Sequence, residues 1–115
     1  MSDINERYEI REVEVKGVKS LIREGTSDEF VVNEVIKGNE YRKLKLRPDD
    51  IVLDCGLNIG MFTTQTLLRG IKEIHSFEPD VDNFYLAQKN VEMNGFKLGE
   101  NVFLNNDAVI GNDDT

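Results

Sequence analysis

Apolar and charged residues alternate from Tyr8 to Val18, with Tyr8, Ile10, Val13 and Val15 set among Glu9, Arg11, Glu12, Glu14 and Lys16. Apart from one slip after Arg11 the period is two, which predicts a half-exposed strand. Gly17 interrupts it, and Val18 to Ile22 is expected to return as its hairpin partner. Beyond Gly25 the spacing changes, and Phe30, Val31, Val32, Val35 and Ile36 fall at helical intervals. Thr26 with Glu29 reads as a capping box, and Asp28 complements the helix dipole. Gly38 is expected to end that helix in the left-handed conformation, giving a short amphipathic helix from Ser27 to Lys37.

Tyr41 to Arg47 then carries a dense basic run, Arg42, Lys43, Lys45 and Arg47, alternating with Leu44 and Leu46. A solvated edge is the favoured reading, and contact with an anionic substrate group is the functional one. Pro48-Asp49-Asp50 is a turn. From there the chain reads strand, turn, helix, repeated. Ile51-Val52-Leu53 is a continuous apolar run, expected as a central strand covered on both faces. Asp54 to Gly60 is the turn, and Met61 to Leu68 the helix, apolar at Met61, Phe62, Leu67 and Leu68 and closed by Gly70. Ile74 to Phe77 is a second strand, ended by Glu78-Pro79. Asp80 to Asn94 is a second helix, with Val81, Phe84, Ala87 and Val91 on one face and Gly95 as its stop. Asn101 to Ile110 offers a third strand that breaks near Asn105-Asn106. Strands alternating with crossover helices predict an α/β fold with a parallel sheet and right-handed connections. Residues 1–47 form an N-terminal hairpin-and-helix extension in this reading, and residues 48–115 the α/β unit.

Composition narrows the class. A chain of 115 residues has room for one domain. With 14 Lys and Arg against 22 Asp and Glu, its net charge is -8, which disfavours passive binding to nucleic acid or anionic membrane. The single cysteine, Cys55, can form neither an intramolecular disulfide nor a structural zinc site. No secretion signal is recognisable near Met1 and no apolar run reaches membrane-spanning length, so a cytoplasmic, soluble protein is the expectation.

The chemistry concentrates in Asp54-Cys55-Gly56-Leu57-Asn58-Ile59-Gly60 together with Glu78. A strand running through glycines into a helix lets backbone approach a ligand at a helix end with free N–H groups. An acidic residue ending the next strand can accept two hydrogen bonds from ribose hydroxyls. A dinucleotide loop needs glycine at its first, third and sixth places, but here the third is Asn58 and the sixth Met61. No Gly-Lys-Ser/Thr follows, which excludes a P-loop. The spacing suits a phosphate-free cofactor, S-adenosylmethionine.

Val52 to Phe62 resembles the first motif of class I S-adenosylmethionine-dependent methyltransferases. More narrowly, the Gly-x-Asn-Ile-Gly loop, Phe77-Glu78-Pro79, Asn90 to Gly95 and Asp107 to Gly111 together resemble the FkbM family. The resemblance spans residues 27–111 and implies a Rossmann-like fold. It implies that Asp54, Gly56, Asn58 and Gly60 line the methionine and ribose part of the cofactor. Glu78 would bind the ribose hydroxyls, Pro79 would lie beside the adenine, and Asp107 and Ala108 near its amino edge. Leu57 departs from the alanine usual at its place and puts a larger side chain at the turn.

Plainer roles stand beside these. Asp54 alone is a turn-capping carboxylate, Glu78 alone a strand-ending acid, and Cys55 a small apolar filler. His75 lacks an orienting carboxylate in the sequence, and Glu34 and Tyr41 are more simply packing or surface residues. No catalytic base and no metal site is assigned. The chain supplies three strands where the resembling families have seven, so it reads as the N-terminal, cofactor-binding half of the domain. The free edge of Ile51 to Leu53 then calls for a longer reading frame, a second chain or another copy completing the sheet, or cover from the N-terminal strands. The expected function is methyl transfer, an O-methylation of a small molecule or sugar. The alternatives are a non-catalytic, oligomerising module derived from a methyltransferase, and an adenosine-nucleotide-binding domain.

Overall fold

The computed structural model describes residues 3–38 and 45–109. Tyr41 to Leu44 of the basic run, together with Ile110 and Gly111, lie outside them. The order is α1 (Ile4–Arg7), β1 (Ile10–Val15), β2 (Val18–Arg23), α2 (Asp28–Ile36), β3 (Ile51–Asp54), α3 (Met61–Leu68), β4 (Glu73–Phe77), α4 (Val81–Met93) and β5 (Val102–Asn105). Two sheets result: an antiparallel β1-β2 ribbon and a parallel sheet in the order β3-β4-β5. No helix among the described residues is long and apolar enough to cross a membrane.

The hairpin turns through Lys16 and Gly17, both at positive φ, with Val15 opposite Val18. Such two-residue turns match the twist of the strands they join. The slip after Arg11 is not a bulge: pairing is continuous from Ile10↔Arg23 to Val15↔Val18. Side chains alternate between faces, so Ile10 lies on the opposite face from Val13 and Val15.

The helix after Gly25 is capped differently from the reading above. Ser27 occupies the N-cap without a side-chain bond, and Thr26 Oγ1 accepts the Asp28 N–H at 3.2 Å. Glu29 turns away to pair with Arg11, so no capping box closes. Gly38 is not left-handed; its N–H continues the helical pattern to Asn33 and Glu34, and a Cβ there would meet the Glu34 carbonyl oxygen at 2.3 Å.

The sheet also differs from expectation. Ile51 and Leu53 are each 65% exposed, so β3 is covered on one face only. Val52, Ile74, Val102 and Leu104 carry the inner face, packed with Leu67 of α3 and Val91 of α4. The helices bury Met61, Leu67, Ala87 and Val91 as anticipated, but their inner faces also take in other residues. On α3, Thr63, Thr64 and Thr66 are buried while Leu68 is exposed; on α4, Leu86, Ala87, Asn90 and Val91 are buried while Val81 is exposed. A second cluster joins the N-terminal elements to the α/β unit: Ile4, Val18, Ile22, Val32 and Ile36 pack with Ile59, Met61 and Leu86.

The outer edge of β2 is closed by side chains. Asn94 of α4 accepts the Lys19 N–H at 2.9 Å and donates to the Lys19 carbonyl at 2.7 Å. One turn earlier Asn90 does the same for Leu21, and Asp28 accepts the Arg23 N–H at 3.0 Å. Edge groups that would otherwise recruit another strand are thus satisfied within the chain. Arg23 itself forms a largely buried pair with Asp28 and lies over the Tyr8 ring.

Candidate functional site

Three strand ends of the parallel sheet, and the loop from β3 to α3, build one corner of the molecule. Parallel α/β sheets present ligand crevices at the carboxyl ends of their strands. The loop is tied to β4 by the Leu57 N–H, which donates to the Phe77 carbonyl at 3.0 Å, and closes on itself through Gly60 N–H to the Leu57 carbonyl at 2.9 Å. Asn58 has φ +53, a left-handed conformation that asparagine tolerates better than most side chains. Gly60, at φ +93, begins α3 against Ala87, where a Cβ would meet backbone and side-chain atoms at 3.2 Å. Leu57 is 1% exposed, so its larger side chain is taken up by packing.

Gly56 differs from Gly60. Its φ is not positive, and a Cβ added there would meet nothing within 4 Å. Neither backbone strain nor internal packing requires glycine at this place, which leaves open space beside bare backbone.

Glu78 is held on every side. Its Oε1 accepts the Asn58 N–H at 2.7 Å and its Oε2 the Asp80 N–H at 3.1 Å. Its own N–H donates to the Asn105 carbonyl at 2.9 Å, and its carbonyl accepts from Asn106 Nδ2 at 2.8 Å. The loop, the end of β4 and the end of β5 therefore meet at this residue. Pro79 follows, its carbonyl also accepting from Asn106, and Asp80 then caps α4 by accepting the Asn83 N–H.

Asp54, the last residue of β3, is 9% exposed. Its Oδ2 accepts from Thr63 Oγ1 at 2.9 Å and its Oδ1 from the Gly56 N–H at 3.3 Å. The Thr63 and Ser76 hydroxyls lie 2.6 Å apart. A hydroxyl has one proton to give, so if Thr63 donates to the carboxylate, Ser76 donates to Thr63. Burial pushes the Asp54 carboxyl above its usual range; the bonds from Thr63 and Gly56 oppose that, and the charge of Glu78 adds to it.

The structure thus brings Asp54, Gly56, Leu57, Asn58, Gly60, Glu78 and Pro79 to one corner. Asp107 and Ala108 follow Asn106 there and are exposed. Cys55 is exposed beside the loop, not a core filler, because β3 ends at Asp54. His75 lies on the opposite sheet face from Ser76, stacked on Phe103 and 2.7 Å from the Glu73 carboxylate, a partner two residues away along the same strand. Glu34 is exposed on α2. No group of three or more His, Cys, Asp or Glu side chains converges among the described residues.

Thr63, Asn90 and Asn106 received no role from the sequence. The available signal was polarity out of place: a threonine and an asparagine on apolar helix faces, and an asparagine directly after a strand.

No protein-family model matches the chain. Solved structures share its architecture, two of them as follows. One, the M. jannaschii TYW2 in complex with AdoMet, superposes with a TM-score of 0.66 at 14% identity, over 85% of this chain and 43% of that one. The other, a SAM dependent methyltransferase from Agrobacterium tumefaciens, gives 0.59 at 18% identity, over 87% and 33%. The chain has the Rossmann-like fold of S-adenosylmethionine-dependent methyltransferases. It covers part of that domain. Among curated proteins it is 32% identical over 96 residues to a ribosomal RNA small subunit methyltransferase A from Clostridium botulinum (strain Loch Maree / Type A3). That match takes in 83% of this chain, which spans about a third (33%) of the relative's length.

Proposed function

We propose that residues 48–115 are the cofactor-binding half of a methyltransferase that uses S-adenosylmethionine, with residues 1–47 an N-terminal extension. The observation that carries this reading is Gly56. Nothing internal requires glycine there, and the open space at its missing Cβ lies at the strand ends where Glu78 is fixed. A ligand passing over that backbone is the remaining reason for a bare Cα.

In this reading Asp54, Gly56, Leu57, Asn58 and Gly60 shape the wall against the methionine and ribose moieties. Glu78 receives the ribose hydroxyls through lone pairs not used by Asn58 and Asp80, while Pro79, Asp107 and Ala108 border the adenine. The cofactor supplies an activated methyl group, so the protein has to orient and desolvate. The acidic surroundings suit a sulfonium cation and not a polyphosphate.

The motif set and the net charge of -8 favour an FkbM-like O-methylation of a small molecule or sugar. The relative named as a ribosomal RNA methyltransferase favours a second reading, an RNA acceptor. The exposed β3 edge and face, with Ile51 and Leu53, support completion of the sheet by a second chain or a second copy. If binding is retained without transfer, the domain is a non-catalytic module.

Titration calorimetry with S-adenosylhomocysteine tests the core of this proposal. Micromolar binding that Glu78→Ala and Gly56→Val both abolish is expected. No heat with that ligand, or a preference for ADP, overturns it. Binding of ribosomal RNA fragments that weakens steeply with salt would select the RNA acceptor.

A further inference from the structure

The Asn90 side chain is fully buried, at 0% exposure, in the C-terminal half of α4. Its Oδ1 accepts the Leu21 N–H at 2.6 Å. Its Nδ2 donates to the Leu21 carbonyl at 3.3 Å and to the Ile59 carbonyl at 2.8 Å. With two carbonyls on one side and one N–H on the other, these partners admit a single orientation of the amide. The Ile59 carbonyl belongs to the Ile59–Gly60 peptide, whose N–H donates to the Leu57 carbonyl at 2.9 Å, and Ile59 stands between the left-handed residues Asn58 and Gly60. The residues on either side of Ile59 have other anchors: Glu78 takes the Asn58 N–H, and Ala87 presses on Gly60.

We infer that Asn90 is a positioning residue for the ligand-binding loop, fixing the Ile59 peptide and coupling the loop to the docked N-terminal hairpin. This rests on the cofactor reading of Asp54–Gly60 given above. The physical reason is that the Ile59–Gly60 peptide is held on one side by its N–H to the Leu57 carbonyl, and a buried donor to its carbonyl oxygen fixes the plane from the other side. Leaving the Ile59 carbonyl buried without a partner would cost the full desolvation of that group. Asn90 sits on the same face as Ala87 and Val91, so its place is set by the packing of α4 and the constraint is rigid.

Asn94 supplies the internal comparison. It makes the same paired contact with β2, at Lys19, but its remaining bond goes back to the Asn90 carbonyl and not to the loop. Loss of either asparagine loosens the hairpin; loss of Asn90 alone also frees Ile59.

The experiment compares Asn90→Ala and Asn94→Ala by calorimetry with S-adenosylhomocysteine and by amide hydrogen exchange. Asn90→Ala is expected to weaken binding about tenfold, the scale of one lost buried hydrogen bond, with Asn94→Ala staying within about twofold of the parent. Equal weakening by both variants, or unchanged binding in Asn90→Ala, overturns the inference. Should Asn90→Ala not fold, the pair Asn90→Leu and Asn94→Leu serves in place of the alanines, since leucine fills nearly the same volume with neither donor nor acceptor. If the parent protein binds no S-adenosylhomocysteine, the cofactor reading fails by itself, and exchange decides the positioning role. Faster exchange of the Asn58 and Gly60 amides in Asn90→Ala than in Asn94→Ala supports it; equal rates overturn it.

Discussion

Glu78 holds the backbone of Asn58 at 2.7 Å, so the carboxylate proposed to receive a ligand also shapes the loop that would receive it. Oε2 meanwhile accepts the Asp80 N–H at the start of α4. One side chain spans the β3–α3 loop and the β4–α4 turn, and its two oxygens serve different elements.

Changes at Glu78 should therefore act on stability as well as binding. Glu78→Gln keeps one carbonyl oxygen but sets an NH2 donor against an N–H donor. Glu78→Ala leaves both amides without their partner. Alanine is expected to cost about 1–3 kcal/mol and glutamine less, read from urea midpoints in the absence of ligand. An alanine variant as stable as the parent would show that Glu78 does not anchor the loop.

Gly60 is under two separate constraints, its φ of +93 and the approach of Ala87. Gly60→Ala is expected to destabilise by about 1–2 kcal/mol for the left-handed conformation alone, with the contact at Ala87 adding to it. Adding Ala87→Gly should recover the share of the steric part that Ala87 Cβ makes, leaving the contacts with Ala87 Cα and carbonyl oxygen and the conformational part. Denaturant melts of both single variants and the double variant measure that share; strict additivity would mean that the contact with Ala87 Cβ carries no energy.

The strand–loop–helix alternation from Asp50 to Asn94 was legible because each element is bounded by a local signal. Gly70 follows α3 at φ +98, Asp80 caps α4, and Gly95 follows it at φ +96. The corner formed by Asp54, the loop and Glu78 followed from that alternation, since parallel strands bring their carboxyl ends together. Burial was harder to read. Ile51 and Leu53 suggested a covered strand because apolar character records what a surface prefers, while exposure depends on what packs against it. The same limit hid the threonines of α3: Thr63 is buried because Asp54 and Ser76 satisfy its hydroxyl, a relation between residues distant in sequence. Asn90 and Asn94 depend likewise on a hairpin about seventy residues earlier (sequence separations 69 and 75).

The open face of the parallel sheet should govern self-association. Ile51 and Leu53 lie on β3, beyond which no further strand pairs among the described residues. An apolar, unpaired edge of this kind favours pairing with another chain. Leu53→Lys is expected to lower the apparent mass in sedimentation velocity at high protein concentration without changing the far-ultraviolet circular dichroism. Identical sedimentation of parent and variant would remove this face from consideration as an association surface.

Asp54 should give stability a dependence on pH with a definite sign. Burial raises its folded-state carboxyl above the usual aspartate value of 3.8, which the unfolded chain keeps. Between those two values the folded protein binds more protons than the unfolded one, so this group's contribution falls as pH rises through that window. Below 3.8 both states are protonated and the penalty is absent. Relative to Asp54→Asn, the parent should thus lose stability from about that pH upward until the folded carboxyl has ionised. Thr63→Val deletes the hydrogen bond that opposes the shift, so its decline should extend to higher pH than the parent's. Urea midpoints of the three proteins across a pH series check this. A parent curve parallel to that of Asp54→Asn, or a Thr63→Val decline that ends at lower pH, would show that burial does not dominate at Asp54.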